Sequence, residues 1–161
     1  MLNKLHYEMI KLYKGDAKRI QHFCKVHSYA KLIAEMENVD EYTSFIIETA
    51  ALTHDIGIHL CEEKYGNCNG KLQEKEGPAR AEKLLKKLGF AKDVSERVMY
   101  LIAHHHTYDD INEIDYQILV EADFLVNMYE DGLSKDAVEH SYNKIFKTAS
   151  GIKICAEMFG I

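Results

Sequence analysis

A single proline, Pro78, stands in a chain of 161 residues. Such proline poverty, with long apolar-periodic segments and few turn clusters, points to an all-α protein. No apolar run reaches the ~18 residues that would span a bilayer. The first residues, Met1 to His6, lack the apolar core of a signal peptide, so a cytoplasmic protein with no membrane partner is expected. The cysteines, Cys24, Cys61, Cys68 and Cys155, form no CxxC pair, which argues against both a disulfide framework and a thiolate zinc site. Lys and Arg nowhere form a stripe, and with 20 basic against 26 acidic residues the net charge is −6, so nucleic acid is not an expected partner. Repeats, low-complexity tracts and linkers are absent as well, and the length suits one domain over residues 1–161.

What is present reads as a succession of helices. A short one runs from about Leu2 to Tyr13 and ends near Gly15, and a second begins after Asp16 as N-cap and reaches about Asn38. On it His22, Val26, Tyr29 and Ile33 share one stripe while Phe23, His27, Ala30 and Ala34 share the next, and periodicity does not choose between the histidines. The third, from about Glu41 to Ile56, is apolar around most of its circumference, as a central buried helix would be. The polar, glycine-bearing stretch from Cys61 to Glu76 reads as a loop with at most one helical turn. Pro78 then suits the first turn of a helix closed by Gly89. Asp93 with Glu96 makes a capping pattern for the following helix, whose stripe Val94, Val98, Leu101 leads to His105. A further helix covers about Asp115 to Tyr129. Ser134 opens a last long one, with Gly151 expected to separate it from a short terminal helix.

Chemistry is signalled by polar residues standing where apolar ones belong. His54-Asp55 closes a helix of Ile, Ala and Leu, His104-His105-His106 closes another, and Asp123 sits in the middle of a third. A bare carboxylate inside an apolar helix needs a cation or several hydrogen bonds to offset its desolvation. Nitrogen and carboxylate donors from different helices suit Mn, Fe, Co, Ni or Zn, and carboxylate-rich sites shade toward Mg or Mn. A metal held so, with open positions, would acidify water and polarise a phosphoryl oxygen. Outside this set, His27, His59 and His140 read as hydrogen-bonded core residues and His6 as surface.

Arg19-Ile20-Gln21-His22, Val26, Ile33-Ala34, then Ala50 to Gly57 with its Thr53-His54-Asp55, then His105 and Glu121-Ala122-Asp123 together resemble the H…HD…H…D pattern of HD-domain phosphohydrolases. The likeness runs from about residue 16 to 130, leaving the helices over 134–161 outside it. It implies a bundle of five or more helices in which His22, rather than His27, joins His54, Asp55 and Asp123 on a divalent metal. In the dinuclear branch Asp55 would bridge to a second metal, held also by one of His104 to His106, with His105 favoured by its stripe. In relatives that cleave dinucleoside polyphosphates, the helix expected here to open at Gly77-Pro78 is preceded by a histidine. This chain has Glu76 there, an alternative ligand for the second metal and equally a residue that a helix dipole would favour.

The resemblance thus implies one or two metals, from Fe, Mn, Mg, Zn, Ni or Co, and hydrolysis of a small phosphorylated substrate, most plausibly a nucleotide. Asp55 would orient the water, and His105 would bind the second metal or protonate the leaving group. Lys64, Lys71 and Arg80 are the expected phosphate anchors. Two other readings stand beside this one, a mixed-valence di-iron oxygenase and a non-catalytic metal- or nucleotide-binding module. Helical domains of this size often pair, which leaves a homodimer open.

Overall fold

The computed structural model describes residues 1–161 and contains nine helices and no strand. Helix α1 (Leu2–Leu12) leads through Gly15, at φ 90°, into α2 (Ala17–Met36). Asp16 caps α2 by accepting from the Arg19 backbone N–H at 3.2 Å. Asp40 caps α3 (Glu41–Thr53) through two N–H groups, those of Tyr42 and Thr43, both at 3.0 Å.

Helix α3 packs against α1, α2, α6 (Lys92–His104) and α7 (Ile114–Glu130), so its Ile47, Ala50, Ala51 and Leu52 are all shut off from solvent. Burial of each large side chain there is worth roughly 1.5–3 kcal/mol. Helix α7 is the other central element, and its buried residues include Asp115, Gln117, Glu121 and Asp123. Glu121 is fully enclosed, yet its carboxylate accepts from Gln117 Nε2 at 2.7 Å, from the Lys147 and Thr148 backbone N–H groups at 2.6 and 2.9 Å, and from Thr148 Oγ1 at 2.5 Å. That network ties α8 (Lys135–Ile145) and α9 (Ala149–Phe159) to the bundle.

Four local expectations are corrected. The supposed loop over Cys61 to Glu76 is mostly helical: α4 (Ile58–Tyr65) ends at left-handed Gly66, and α5 (Gly70–Leu88) starts from Asn69, whose side chain accepts from the Leu72 N–H. Pro78 therefore sits inside α5 instead of opening it. Asp93 does not cap α6; its carboxylate accepts from the Tyr42 hydroxyl, and Ala91 holds the N-cap place without a side-chain bond. Finally, Gly151 lies within α9. The break between the last helices falls at Phe146 to Thr148, where Thr148 caps α9 through the Gly151 N–H.

Glycines let α5 approach closely. A Cβ on Gly57 would stand 3.0 Å from the Gly77 nitrogen, and one on Gly77 would stand 2.7 Å from Ile102 Cγ2. The turn after α3, the middle of α5 and the end of α6 thus meet backbone to side chain at one place.

Candidate metal centre

His22 projects from the second turn of α2, His54 and Asp55 from the turn that ends α3, and Asp123 from the middle of α7. Four of their atoms form a compact figure. His22 Nε2 lies 3.2 Å from His54 Nε2, 3.2 Å from Asp123 Oδ1 and 3.4 Å from Asp55 Oδ2. His54 Nε2 lies 3.5 Å from each of the same two oxygens. His22 Nε2, His54 Nε2 and Asp123 Oδ1 are thus mutually 3.2–3.5 Å apart, the spacing of donors that share one metal at bond lengths of about 2.0–2.2 Å.

The hydrogen bonds on the far side of each imidazole decide what those atoms offer. His54 Nδ1 donates to the Ala51 carbonyl at 2.9 Å, His105 Nδ1 to the Ile102 carbonyl at 2.7 Å, and His22 Nδ1 to Glu130 Oε2 at 2.9 Å. With Nδ1 protonated, each Nε2 is left as a lone pair. Lone pairs of His22 and His54 then face each other and two carboxylates, an arrangement that repels itself unless a cation or a proton lies between them. His105 Nε2, 3.7 Å from Asp55 Oδ1, is fully buried and has no hydrogen-bond partner at all. Protons are the alternative to a metal. Burial opposes protonation of His54, but Asp55 and Asp123 outweigh it and push its pKa up to about 9. His22 is raised in the same way, with Asp123 overcoming burial. Both carboxyls are lowered despite burial, Asp55 to about 2 chiefly by His54, and Asp123 well below its ordinary value by His22 and His54. A buried set of paired nitrogen and carboxylate donors of this kind fits a divalent cation.

The family model of the HD domain matches residues 19–146. This chain belongs to the HD-domain family. A crystal structure described as a "predicted HD superfamily hydrolase" from an uncultured Thermotogales bacterium, at 1.45 Å resolution, has the same fold, with a TM-score of 0.67 and 25% identity. The likeness covers 99% of this chain and 83% of that one. A comparison with curated proteins gives no match.

In this HD domain the centre opens into a cleft of about 460 Å³. Its wall carries five carboxylates, Asp55, Glu62, Asp123, Glu130 and Asp131, against two permanent cations, Lys18 and Arg19. So acidic a cleft favours a cation as its first occupant and an anion only after it. Arg19 is partly committed, since its guanidinium reaches Asp16 at 2.7 Å and Glu62 at 2.5 Å. Beside Asp55 lie His105 and His106, a second group of potential donors. Asn127 donates to Asp123 Oδ1 at 2.9 Å and Lys25 pairs with Glu130 at 2.5 Å, so both acids are held from behind.

Of the residues singled out in the sequence, the structure gathers His22, His54, Asp55, His105 and Asp123 and leaves five others elsewhere. His27 is not in the centre; it pairs with Glu48 at 2.9 Å. Glu76 is turned to α4, where it accepts from Lys64 Nζ at 2.8 Å and the Tyr65 hydroxyl at 2.7 Å, and these bonds lower its pKa. The reason is register: α5 begins well before Pro78, so the face toward the centre carries Gln73, one turn ahead of buried Gly77, and not Glu76. Lys64 is committed to Glu76, Lys71 stands exposed at the start of α5, and Arg80 faces the groove shared with Lys11 and Lys83 between α1 and α5. None of the three lines the cleft. The cations that do, Lys18 and Arg19, were not among the expected anchors, because a first-turn Lys-Arg pair is ordinary helix surface. His59 does bond a partner, Asp16 at 3.0 Å, while His140 is exposed and His6 is half-buried beside Cys24.

Proposed function

We propose that this HD domain is a metal-dependent phosphohydrolase that cleaves a phosphomonoester or phosphoanhydride, most plausibly of a nucleotide. HD-domain proteins are in general metal-dependent hydrolases, which supports the class. The observation that carries it to this chain is the buried triangle of His22 Nε2, His54 Nε2 and Asp123 Oδ1, 3.2–3.5 Å on each side and each backed by a hydrogen bond, with Asp55 Oδ2 3.4–3.5 Å from both nitrogens. A divalent ion from the series Mn, Fe, Co, Ni, Zn and Mg, bound there, supplies Lewis acidity and acidifies water near neutral pH.

The chain's own residues supply the rest. Asp55 turns one oxygen to the metal ligands and the other toward His105, so it can orient a water. His105 Nε2, a lone pair with no other partner, stands behind Asp55 as a second acceptor. Lys18 and Arg19, at the cleft wall, are placed to hold phosphate oxygens. Glu130 and Asn127 fix the orientation of His22 and Asp123.

Phosphate release from a nucleotide panel, with each of the six metals added to metal-stripped protein, tests this. Metal-dependent release that disappears in Asp123→Ala is the expected outcome. Absence of release with every metal and nucleotide, by protein that binds metal, would reduce the chain to a binding module.

A further inference from the structure

A second metal, expected by resemblance to the dinuclear branch, would face Asp55, His105 and His106. Of these three, His106 is already committed. Its Nε2 lies 3.1 Å from Gln73 Oε1 and its Nδ1 3.3 Å from the Tyr108 hydroxyl. The peptide N–H of His106 donates to Glu74 Oε1 at 3.0 Å, and Thr107 Oγ1 donates to the same oxygen at 2.9 Å. Gly70 packs against the ring, where a Cβ would come within 2.8 Å of Cγ. Backbone, ring face and both ring nitrogens are therefore held by α5 and Tyr108.

Neither tautomer frees a lone pair. If Nε2 carries the proton it donates to Gln73, and Nδ1 accepts from Tyr108. If Nδ1 carries it, the proton goes to Tyr108 and the Gln73 amide turns to donate to Nε2. Two protein donors then remain at the second position, Asp55 Oδ1 and His105 Nε2, fewer than the three or four with which proteins hold such ions.

We propose that Gln73 locks His106 out of coordination, so that this chain loads one metal and not two. The inference rests on the metal-centre reading above and narrows it, because a mixed-valence di-iron oxygenase needs both positions filled. It also assigns Gln73 a positioning role that acts through His106.

The test is manganese content by inductively coupled plasma mass spectrometry after metal-stripped protein is saturated with Mn²⁺ and freed of excess. One ion per chain is expected in wild type and in His106→Ala. Gln73→Ala, which releases His106 Nε2 while leaving Nδ1 on Tyr108, should rise to two, and the double variant should return to one. Two ions in wild type, or one in Gln73→Ala, overturns the lock. No ion in any variant overturns the metal-centre reading instead, and the lock is then read from the ¹⁵N resonances of the His106 ring in metal-free protein. Those resonances should move in Gln73→Ala, and if they stay in place the lock is wrong.

Discussion

At the scale of single residues, the centre depends on atoms that never touch a metal. The contact from Glu130 Oε2 to His22 Nδ1 at 2.9 Å selects the tautomer that presents Nε2, and Lys25 keeps that carboxylate in place. Partners of this kind behind metal-binding histidines are typically worth 10–100-fold in metal affinity. Glu130→Ala is therefore expected to weaken metal binding by about that factor while the helices stay folded. Competition with a chelator of known affinity measures it, and an unchanged dissociation constant would show that the ring holds its orientation without help. Glu130 was not legible in the sequence, since an acid in the last turn of an amphipathic helix looks like solvated surface. His54, Asp55, His105 and Asp123 were legible for the opposite reason, each breaking an apolar pattern that packing alone would have kept. His22 needed the family pattern, because the stripe of α2 accommodates His27 equally well. Gln73 carried no signal, being an uncharged side chain in a polar stretch.

Elements were legible where caps and stripes agreed and illegible where one strong marker misled. Asp16 and Ser134 sit at helix starts with their side chains on backbone N–H groups, as short polar residues before apolar periodicity should. Pro78 misled because proline favours a first turn, although a helix already running can carry it at the cost of one backbone bond. The resulting register error put Glu76 on the face toward the centre, where Gln73 stands. Asp16 does more than cap α2, for it also accepts from Arg19 and His59. Asp16→Ala should cost roughly 1 kcal/mol, as N-cap removal generally does, measured by urea unfolding at pH 7. Against the effect of burial, the bonds from His59 and Arg19 bring the Asp16 pKa down to about 2. Its contribution should therefore be present above pH ~4, the unfolded value, and fade as pH falls toward 2. The last helices hang on a different kind of contact. Four donors converge on the buried carboxylate of Glu121, and Glu121→Gln places an amide N–H₂ among them, so a loss of about 2–3 kcal/mol is expected. Gly151→Ala should be as damaging, since its Cβ would collide with Glu121 Oε2. Denaturation curves for both variants that overlay the wild type would deny the network its role.

For the molecule as a whole, stability and metal loading become one quantity coupled to pH. In the metal-free chain at pH 7, His54 holds a proton, because Asp55 and Asp123 overcome burial and raise its pKa to about 9. A histidine raised in the folded state stabilises fully below its unfolded pKa of ~6.5, and that contribution is lost as pH climbs through the folded value. Metal-free protein should accordingly lose stability between pH ~6.5 and about 9. Metal binding needs the same Nε2 as a lone pair and must expel the proton, so apparent affinity should rise across that interval. Metal at 100 times its dissociation constant adds about 2.7 kcal/mol to the folded state, so the loaded protein should be insulated from the alkaline loss. Calorimetric metal titrations at pH 7, in buffers of different ionisation enthalpy, should show between one and two protons released per metal bound, from His54 and from His22, whose pKa is raised as well. Binding enthalpies independent of the buffer would mean that His54 is already deprotonated before metal arrives, and that the two carboxylates are balanced by some other charge.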